Sequence, residues 1–335
     1  MTTILRDADA DPELLSGQQI AVVGYGNQGR AQALNLRDSG CSVVIGNIRD
    51  AAHEAAERDG FRVLPIAEAS AAADVVMLLI PDEVMPPVYA EHVAPGLSPG
   101  NLLVFASGYN VAFGLIEPAP ELDVALIAPR MIGLGVRDGY LDGRGFPSFV
   151  GVHRDATGRA RERMLALARA LGSTRAGCIE MSLHDEASLD LFTEQGFGPA
   201  FGRVLISAIE VLVEAGYPPE AVLLELYLSG ELAYSLEKAR EVGMVRQMDF
   251  HSHTSQYGSL TRGARFLEHA EPLKRSMRQI LDEIRSGRFA EEWSGQQPRA
   301  SELFAALRRA RDAQPIAKWD EEARRRLRIG AAAGD

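Results

Sequence analysis

The chain has 335 residues, 46% of them hydrophobic and 24% charged, which is ordinary for a folded globular protein and enough for two domains with sizeable cores. A formal net charge of -11 with no broad basic face excludes nucleic acid as an expected partner; Arg308-Arg309 and Arg324-Arg325-Arg326 alternate with acids and read as solvated faces. Two cysteines, Cys41 and Cys178, at no metal-ligand spacing, read as small buried residues, with no disulfide framework.

The first seven residues lack the apolar core of a signal peptide, and no apolar run is long enough to span a bilayer. A cytoplasmic protein with no membrane partner is therefore expected. The apolar run Gln19-Ile20-Ala21-Val22-Val23 predicts a buried strand, and Arg30 to Leu36 predicts a helix. Between them lies Gly24-Tyr25-Gly26-Asn27-Gln28-Gly29, a Gly-x-Gly-x-x-Gly at a strand-to-helix turn. Gly24 suits a tight turn, Gly26 a close backbone approach to phosphates, and Gly29 close packing of helix on strand. The helix N-terminus then offers unpaired N–H groups to a dinucleotide pyrophosphate. An ordinary strand-to-helix turn is the plain alternative.

Further strands are predicted at Ser42 to Ile45, Val75 to Ile80 (stopped by Pro81), Asn101 to Phe105, Val124 to Ala128 and Phe149 to Val152, with a helix from Ala51 to Arg58. Short apolar strands alternating with helices predict a parallel sheet covered on both faces, an α/β Rossmann architecture. Ligands of such sheets bind beyond the strand carboxyl ends, which singles out residues 24–29, 46–50, 81–83, 106–110 and 129–133. From about Ser182 helical periodicity takes over: Leu189 to Gly196, Arg203 to Ala215, Glu220 to Arg240 and Pro272 to Ser286. This predicts an N-terminal NAD(P)-binding domain over 1–181 and an all-α domain over 182–335, ending in a short Gly/Ala tail from Gly330.

Asp190 and Glu194 are four residues apart, which on a helix places both carboxylates on one face. Hard oxygen donors with no histidine or cysteine nearby suit Mg²⁺, whereas a solvated surface pair is the plain alternative. Apolar Leu189, Leu191 and Phe192 suggest a mostly buried helix. Glu225 lies in an apolar segment, where a carboxylate needs a metal, an arginine or a backbone donor.

Together these segments resemble ketol-acid reductoisomerase of the short class. The resemblance runs through Gly24 to Gly29, Ala33 to Gly40, Leu79 to Glu83, Val88-Tyr89, His153 to Gly158, Thr174 to Gly177, Asp190 to Gln195, Leu212 to Tyr217 and Ser286 to Trp293, nearly the whole chain. It implies a Rossmann domain followed by a knotted all-helical domain, with dimers built through the latter. It also implies an alkyl migration in a 2-acetolactate-type substrate with two Mg²⁺ ions, then reduction by NAD(P)H, in branched-chain amino-acid synthesis.

Departures fall at the reacting centre. The family's Ala-His-Gly-Phe-Asn reads Ala106-Ser107-Gly108-Tyr109-Asn110, and its Ala-Pro-Lys-Gly-Pro-Gly-His reads Ala128-Pro129-Arg130-Met131-Ile132-Gly133-Leu134. The second pair of glutamates, four apart in the family, is Glu225 and Ser229 here, with Glu231 next: either two residues are inserted or one carboxylate is gone. Six residues along an α-helix put Glu225 and Glu231 on different faces unless the helix is distorted. In the family's Ser-Asn-Thr-Ala-Glu-Tyr-Gly segment, Ser252 and Tyr257 persist while His253 and Gln256 replace an amide and an acid.

The expectation is a reductase of this family, without the alkyl migration, acting on a small keto acid or imine in a specialised biosynthetic pathway. An authentic ketol-acid reductoisomerase and a non-catalytic NAD(P)-binding protein are the alternatives. The candidate catalytic residues are Ser107, Arg130, Glu194, Glu225 and Ser252; Arg130 would hold a substrate carboxylate or polarise the acceptor oxygen. Candidate metal ligands are Asp190, Glu194 and Glu225, with the number of ions open. Cofactor contacts are assigned to Gly24, Tyr25, Gly26, Asn27, Gln28, Gly29, Arg49, Asp50, Ile80, Pro81, Asp82, Ser107 and Gly133. Arg49 suits a 2′-phosphate and Asp50 the ribose hydroxyls, with a slight lean to NADH over NADPH. A homodimer or larger homo-oligomer is expected.

Overall fold

A computed structural model of the chain describes residues 2–330; the Ala/Gly tail from 331 lies outside them. The chain divides into two compact units between Asp190 and Leu191. The first is built on a nine-stranded sheet of order β1-β9-β8-β7-β6-β5-β2-β3-β4. The strands are β1 (Ile4–Leu5), β2 (Gln19–Val23), β3 (Ser42–Gly46), β4 (Val63–Leu64), β5 (Val75–Leu78), β6 (Leu102–Phe105), β7 (Asp123–Pro129), β8 (Ser148–Arg154) and β9 (Cys178–Glu180).

The central strands are continuous apolar runs because helices cover both faces. Ile20 to Val23, Val75 to Leu78, Leu102 to Phe105 and Val124 to Ala128 are all 0% exposed. One face packs helices α1 (Asn27–Asp38) and Ala160–Leu171, through Leu36, Met164 and Leu167; the other packs Ile66, Ala69, Met85, Tyr89 and Val93. At about 25 cal/mol per Å² of apolar area, such two-sided burial dominates the stability of this unit. Asp123, wholly buried, is matched by Arg163 at 2.9 Å and by the N–H groups of Ala156 and Thr157.

The expected all-parallel sheet needs correction at β8, which runs antiparallel to β7. Seven strand residues span about 23 Å, whereas the following nine-residue helix, Gly133–Leu141, spans only about 14 Å. The chain does not get back to the start of β7, so β8 begins beside its end, with Ser148 paired to Pro129. Strands β1, β4 and β9 have two or three residues each, too few to show periodicity.

The second unit is helical among its described residues: Gly198–Glu214, Pro219–Leu223, Glu231–Val242, His253–Gly263, Ala270–Arg285, Arg288–Gln296, Ala300–Asp312 and Pro315–Leu327 are its α-helices. Ile209, Val222, Leu223 and Ala323 form its buried centre, with Trp319 and Ile316 packed against them. The single helix expected over Glu220 to Arg240 is interrupted: a π-helical turn, Leu224–Leu228, gives way at left-handed Gly230 (φ +84°) to a new helix starting at Glu231. The expectation of no membrane-length segment is also corrected. One helical run, Leu183–Glu214, is long and apolar enough by length and composition, its charges being spaced out rather than absent. Only 11% of its most apolar window is buried.

Candidate active site

The strand order reverses between β2 and β5, and this is where the Gly-rich turn lies. Gly24 has φ +96°, and a Cβ there would stand 2.7 Å from Leu79 O and 2.6 Å from Ile80 Cγ2. A Cβ on Gly29 would stand 2.1 Å from Gly24 O. By contrast a Cβ on Gly26 would meet no protein atom within 4 Å, so space is left beside the backbone there. Gly26 is also the N-cap of α1 and provides no side-chain cap, which leaves the first-turn N–H groups for an anion. These residues fit a dinucleotide.

The turn is braced from β7. Gln28 Nε2 donates to Met131 O at 2.8 Å, and a Cβ on Gly133 would come within 2.0 Å of Asn27 O. Tyr25 turns its ring inward instead: it is 3% exposed, packs edge-on against Phe61 and donates to Asp59 Oδ2 at 2.8 Å. Only its backbone remains at the turn. Ile80, Pro81 and Asp82 follow β5 as expected, and Asn110 Nδ2 ties that segment to the turn after β6 by donating to Asp82 O at 3.2 Å.

At the end of β3, Arg49 and Asp50 are exposed. Helix α2 (Ala51–Arg58) starts here because Asp50 caps it: one carboxylate oxygen accepts from Ala52 N at 3.0 Å, His53 N at 2.9 Å and Asn47 Nδ2 at 2.8 Å. Asn47, Arg49, His53, Pro65 and His92 line a 510 Å³ cavity beside it. Asp50→Ala is expected to cost about 1 kcal/mol by loss of the cap, read by chemical denaturation.

Residues 14–177 match the family described as acetohydroxy acid isomeroreductase, NADPH-binding domain, and residues 183–328 match ketol-acid reductoisomerase, C-terminal domain. The chain belongs to the ketol-acid reductoisomerase family. It is 44% identical over 332 residues to ketol-acid reductoisomerase (NADP(+)) of Methanopyrus kandleri, covering 98% of this chain and 99% of that one. The corresponding enzyme of Pyrobaculum arsenaticum is 42% identical over 329 residues, at 98% and 99% coverage. A solved NADH-preferring ketol-acid reductoisomerase from an uncultured archaeon superposes with a TM-score of 0.89 at 36% identity, covering 96% of this chain and 98% of that chain. The expectation of an NAD(P)H-dependent oxidoreductase of this family therefore holds. Of the two readings of the reaction, these likenesses favour the authentic ketol-acid reductoisomerase over the reductase without migration.

Two of the departures from the family pattern, Ser107 and Arg130, lie at one network in the first unit. Glu186, 0% exposed, lies one turn before Asp190 on helix Leu183–Phe192 and was not singled out from the sequence. Its Oε2 accepts from Gly108 N at 2.7 Å, and its Oε1 from Arg130 Nη2 at 2.7 Å. Arg130 Nη1 donates to Asp190 Oδ1 at 2.8 Å. Glu186 thus ties together the turn after β6, the end of β7 and the helix bearing Asp190. Ser107, beside it, accepts from Tyr109 N at 3.3 Å, and Gly108 must be glycine because a Cβ would stand 2.1 Å from Leu183 O. The sequence signal for Glu186 was slight: it is an acid one helical turn before Asp190.

Burial pushes the Glu186 carboxyl up from 4.5 to about 7, against the Gly108 N–H and Arg130, which pull it down. A carboxyl raised on folding favours the folded state when protonated. That contribution is complete below about pH 4.5 and lost as pH rises through about 7. Denaturation of wild type and Glu186→Gln across pH 4.5 to 8 should therefore show wild type losing stability relative to the variant up to pH 7, then no further change.

The remaining motif residues lie in or next to the second unit. Asp190 lies two residues before the end of helix Leu183–Phe192, and Glu194 sits in the π turn Thr193–Phe197, exposed. Of this helix only Leu183, Glu186, Ala187 and Ser188 are buried, and Leu189 is 47% exposed, so the expected burial on most sides is not met. Glu225 is likewise exposed and not the buried acid its apolar neighbours suggested; it sits in the π turn Leu224–Leu228. π turns occur disproportionately at functional sites, and two of them carry one acid of each motif here, Glu194 and Glu225. Ser229 accepts from Glu231 N at 3.3 Å, starting the next helix, and Glu231 lines a 450 Å³ cavity with Tyr234, Lys238, Phe250 and His251. Ser252 follows directly as the N-cap of His253–Gly263, accepting from Ser255 N.

Among the described residues no group of three or more His, Cys, Asp or Glu side chains is gathered for a metal. Asp190 Oδ1 accepts from Arg130 Nη1 and, as they stand, the described donors do not form a metal centre.

Proposed function

We propose that this chain is a ketol-acid reductoisomerase, converting 2-acetolactate by methyl migration and NAD(P)H-dependent reduction to 2,3-dihydroxy-isovalerate in branched-chain amino-acid synthesis. The observation that carries this reading is 44% identity sustained over 98% of the chain, across both domains. The cofactor supplies the hydride; the chain holds its pyrophosphate on Gly24 to Gly29 and the α1 N-terminus. NADH is the better fit at the end of β3, because the Asp50 carboxylate already occupies the N-terminus of α2, an anion position that a 2′-phosphate would contest. The domains are assigned to 1–181 and 182–335, supported by family matches ending at 177 and starting at 183. Assembly as a homodimer or larger homo-oligomer is supported by apolar side chains exposed on the helical unit, among them Phe197, Phe201, Val204 and Val211.

A second reading, reduction of a keto acid or imine without migration, is favoured by one observation: Arg130 is engaged by Asp190 and Glu186 at the place where the family has lysine. NADH and NADPH oxidation, with and without Mg²⁺, on 2-acetolactate and on 3-hydroxy-3-methyl-2-oxobutyrate separates the two. Turnover of both substrates supports the first reading. Turnover of the isomerised substrate alone supports the second.

A further inference from the structure

The segment after β7 presents an apolar patch to solvent. Met131 is 42% exposed, Ile132 66% and Leu134 71%, at positions where the family has glycine, proline and histidine. Three large apolar side chains within four residues mark a contact surface rather than ordinary scatter. Residues 131–136 hold no charged side chain, and the adjoining Arg130 is paired with Glu186 and Asp190. The patch is fixed beside the Gly-rich turn, because Gln28 Nε2 donates to Met131 O at 2.8 Å and Gly133 leaves no room for a Cβ against Asn27 O. In the sheet, β3 and β4 lie on one side of β2, and β5, β6 and β7 on the other. With the adenosine end at Arg49 and Asp50 after β3 and the pyrophosphate on the turn, the nicotinamide end falls on the side of β5 to β7.

We propose that Met131, Ile132 and Leu134 receive the nicotinamide end of the dinucleotide and favour its reduced, uncharged ring over the oxidised, cationic one. This deepens the proposed function and rests on the reading that the Gly-rich turn holds NADH or NADPH. Apolar side chains cannot replace the water that a pyridinium cation gives up, whereas they suit a neutral dihydropyridine ring. The N-terminus of helix Gly133–Leu141 acts in the same direction: Ile132 is its N-cap and provides no side-chain cap, so the positive end of the helix lies at the patch. A reductase that holds the oxidised cofactor weakly releases it readily once the hydride has gone.

The test compares the two redox forms of one dinucleotide. They share adenosine and pyrophosphate, so the ratio of their affinities reports the nicotinamide end alone. NADH, NAD⁺, NADPH and NADP⁺ are each titrated calorimetrically into wild type, Met131→Gln/Ile132→Gln and Leu141→Gln, the last an exposed residue at the far end of the same helix. Wild type should bind the reduced form at least about tenfold more tightly than the oxidised one, the double variant should keep no more than about a threefold preference, and Leu141→Gln should match wild type. Should the double variant fail to fold by circular dichroism, Ile132→Gln, at the more exposed of the two positions, is read in its place. A wild type without the preference, a double variant that keeps it, or a Leu141→Gln that loses it would overturn the inference. A smaller assembly with the preference unchanged would mark the patch as a contact between copies and overturn it as well. Binding of neither redox form would overturn the cofactor reading together with the inference, whereas absence of turnover on 2-acetolactate with the expected preference would fail the proposed reaction alone.

Discussion

Gly29→Ala is expected to weaken binding of both NADH and NADPH by at least about a hundredfold, or roughly 2.7 kcal/mol. The added Cβ would stand 2.1 Å from Gly24 O and 2.9 Å from Gly24 C, both backbone atoms of the turn itself. Neither has a rotamer to move, so the turn must open, and with it goes the alignment of the α1 N–H groups. Gly26→Ala is the informative partner. Its Cβ meets no protein atom within 4 Å, so the fold should melt as wild type does while the methyl group intrudes where a pyrophosphate approaches. Titration of each variant with both dinucleotides, followed by nicotinamide fluorescence, checks the pair. Wild-type affinity in Gly29→Ala would remove the Gly-rich turn from the binding site.

Glu186→Ala should destabilise the protein by about 3 kcal/mol at pH 8, the low end for breaking a buried ion pair. The low end applies because the Arg130 side chain is 25% exposed and keeps Asp190 as a partner. Gly108 N loses its acceptor at the same time. Glu186→Gln retains an oxygen for that N–H and is expected to lose no more than about 1 kcal/mol. Urea denaturation of the two variants gives the comparison. Equal losses would mean that the carboxylate acts through its charge alone, with nothing contributed by its shape or by the oxygen offered to Gly108 N.

The sheet was legible because its central strands are uninterrupted apolar runs, and a run wholly inside a protein announces itself. The turn at Gly24 was legible for a related reason: three glycines at fixed spacing satisfy steric demands that the structure displays directly. The direction of β8 was not legible from apolarity; it depends on the length of the helix before it. Glu186 stayed hidden because its importance comes from partners 56 and 78 positions away, Arg130 and Gly108. Glu225 and Glu231 could share a face only on a distorted helix, and a π turn and left-handed Gly230 lie between them; a lost carboxylate remains the other reading of that gap. Apolar neighbours misled at Glu225, since Leu224 beside it is itself 38% exposed.

The most direct measurement follows the migrating methyl group. The protein, with Mg²⁺ and NADH or NADPH, is given 2-acetolactate labelled with ¹³C at the methyl on C2, and the product is examined by NMR. The proposed reaction predicts the label in one of two geminal methyl groups of 2,3-dihydroxy-3-methylbutanoate. Unrearranged 2,3-dihydroxy-2-methylbutanoate, or no product, would contradict it.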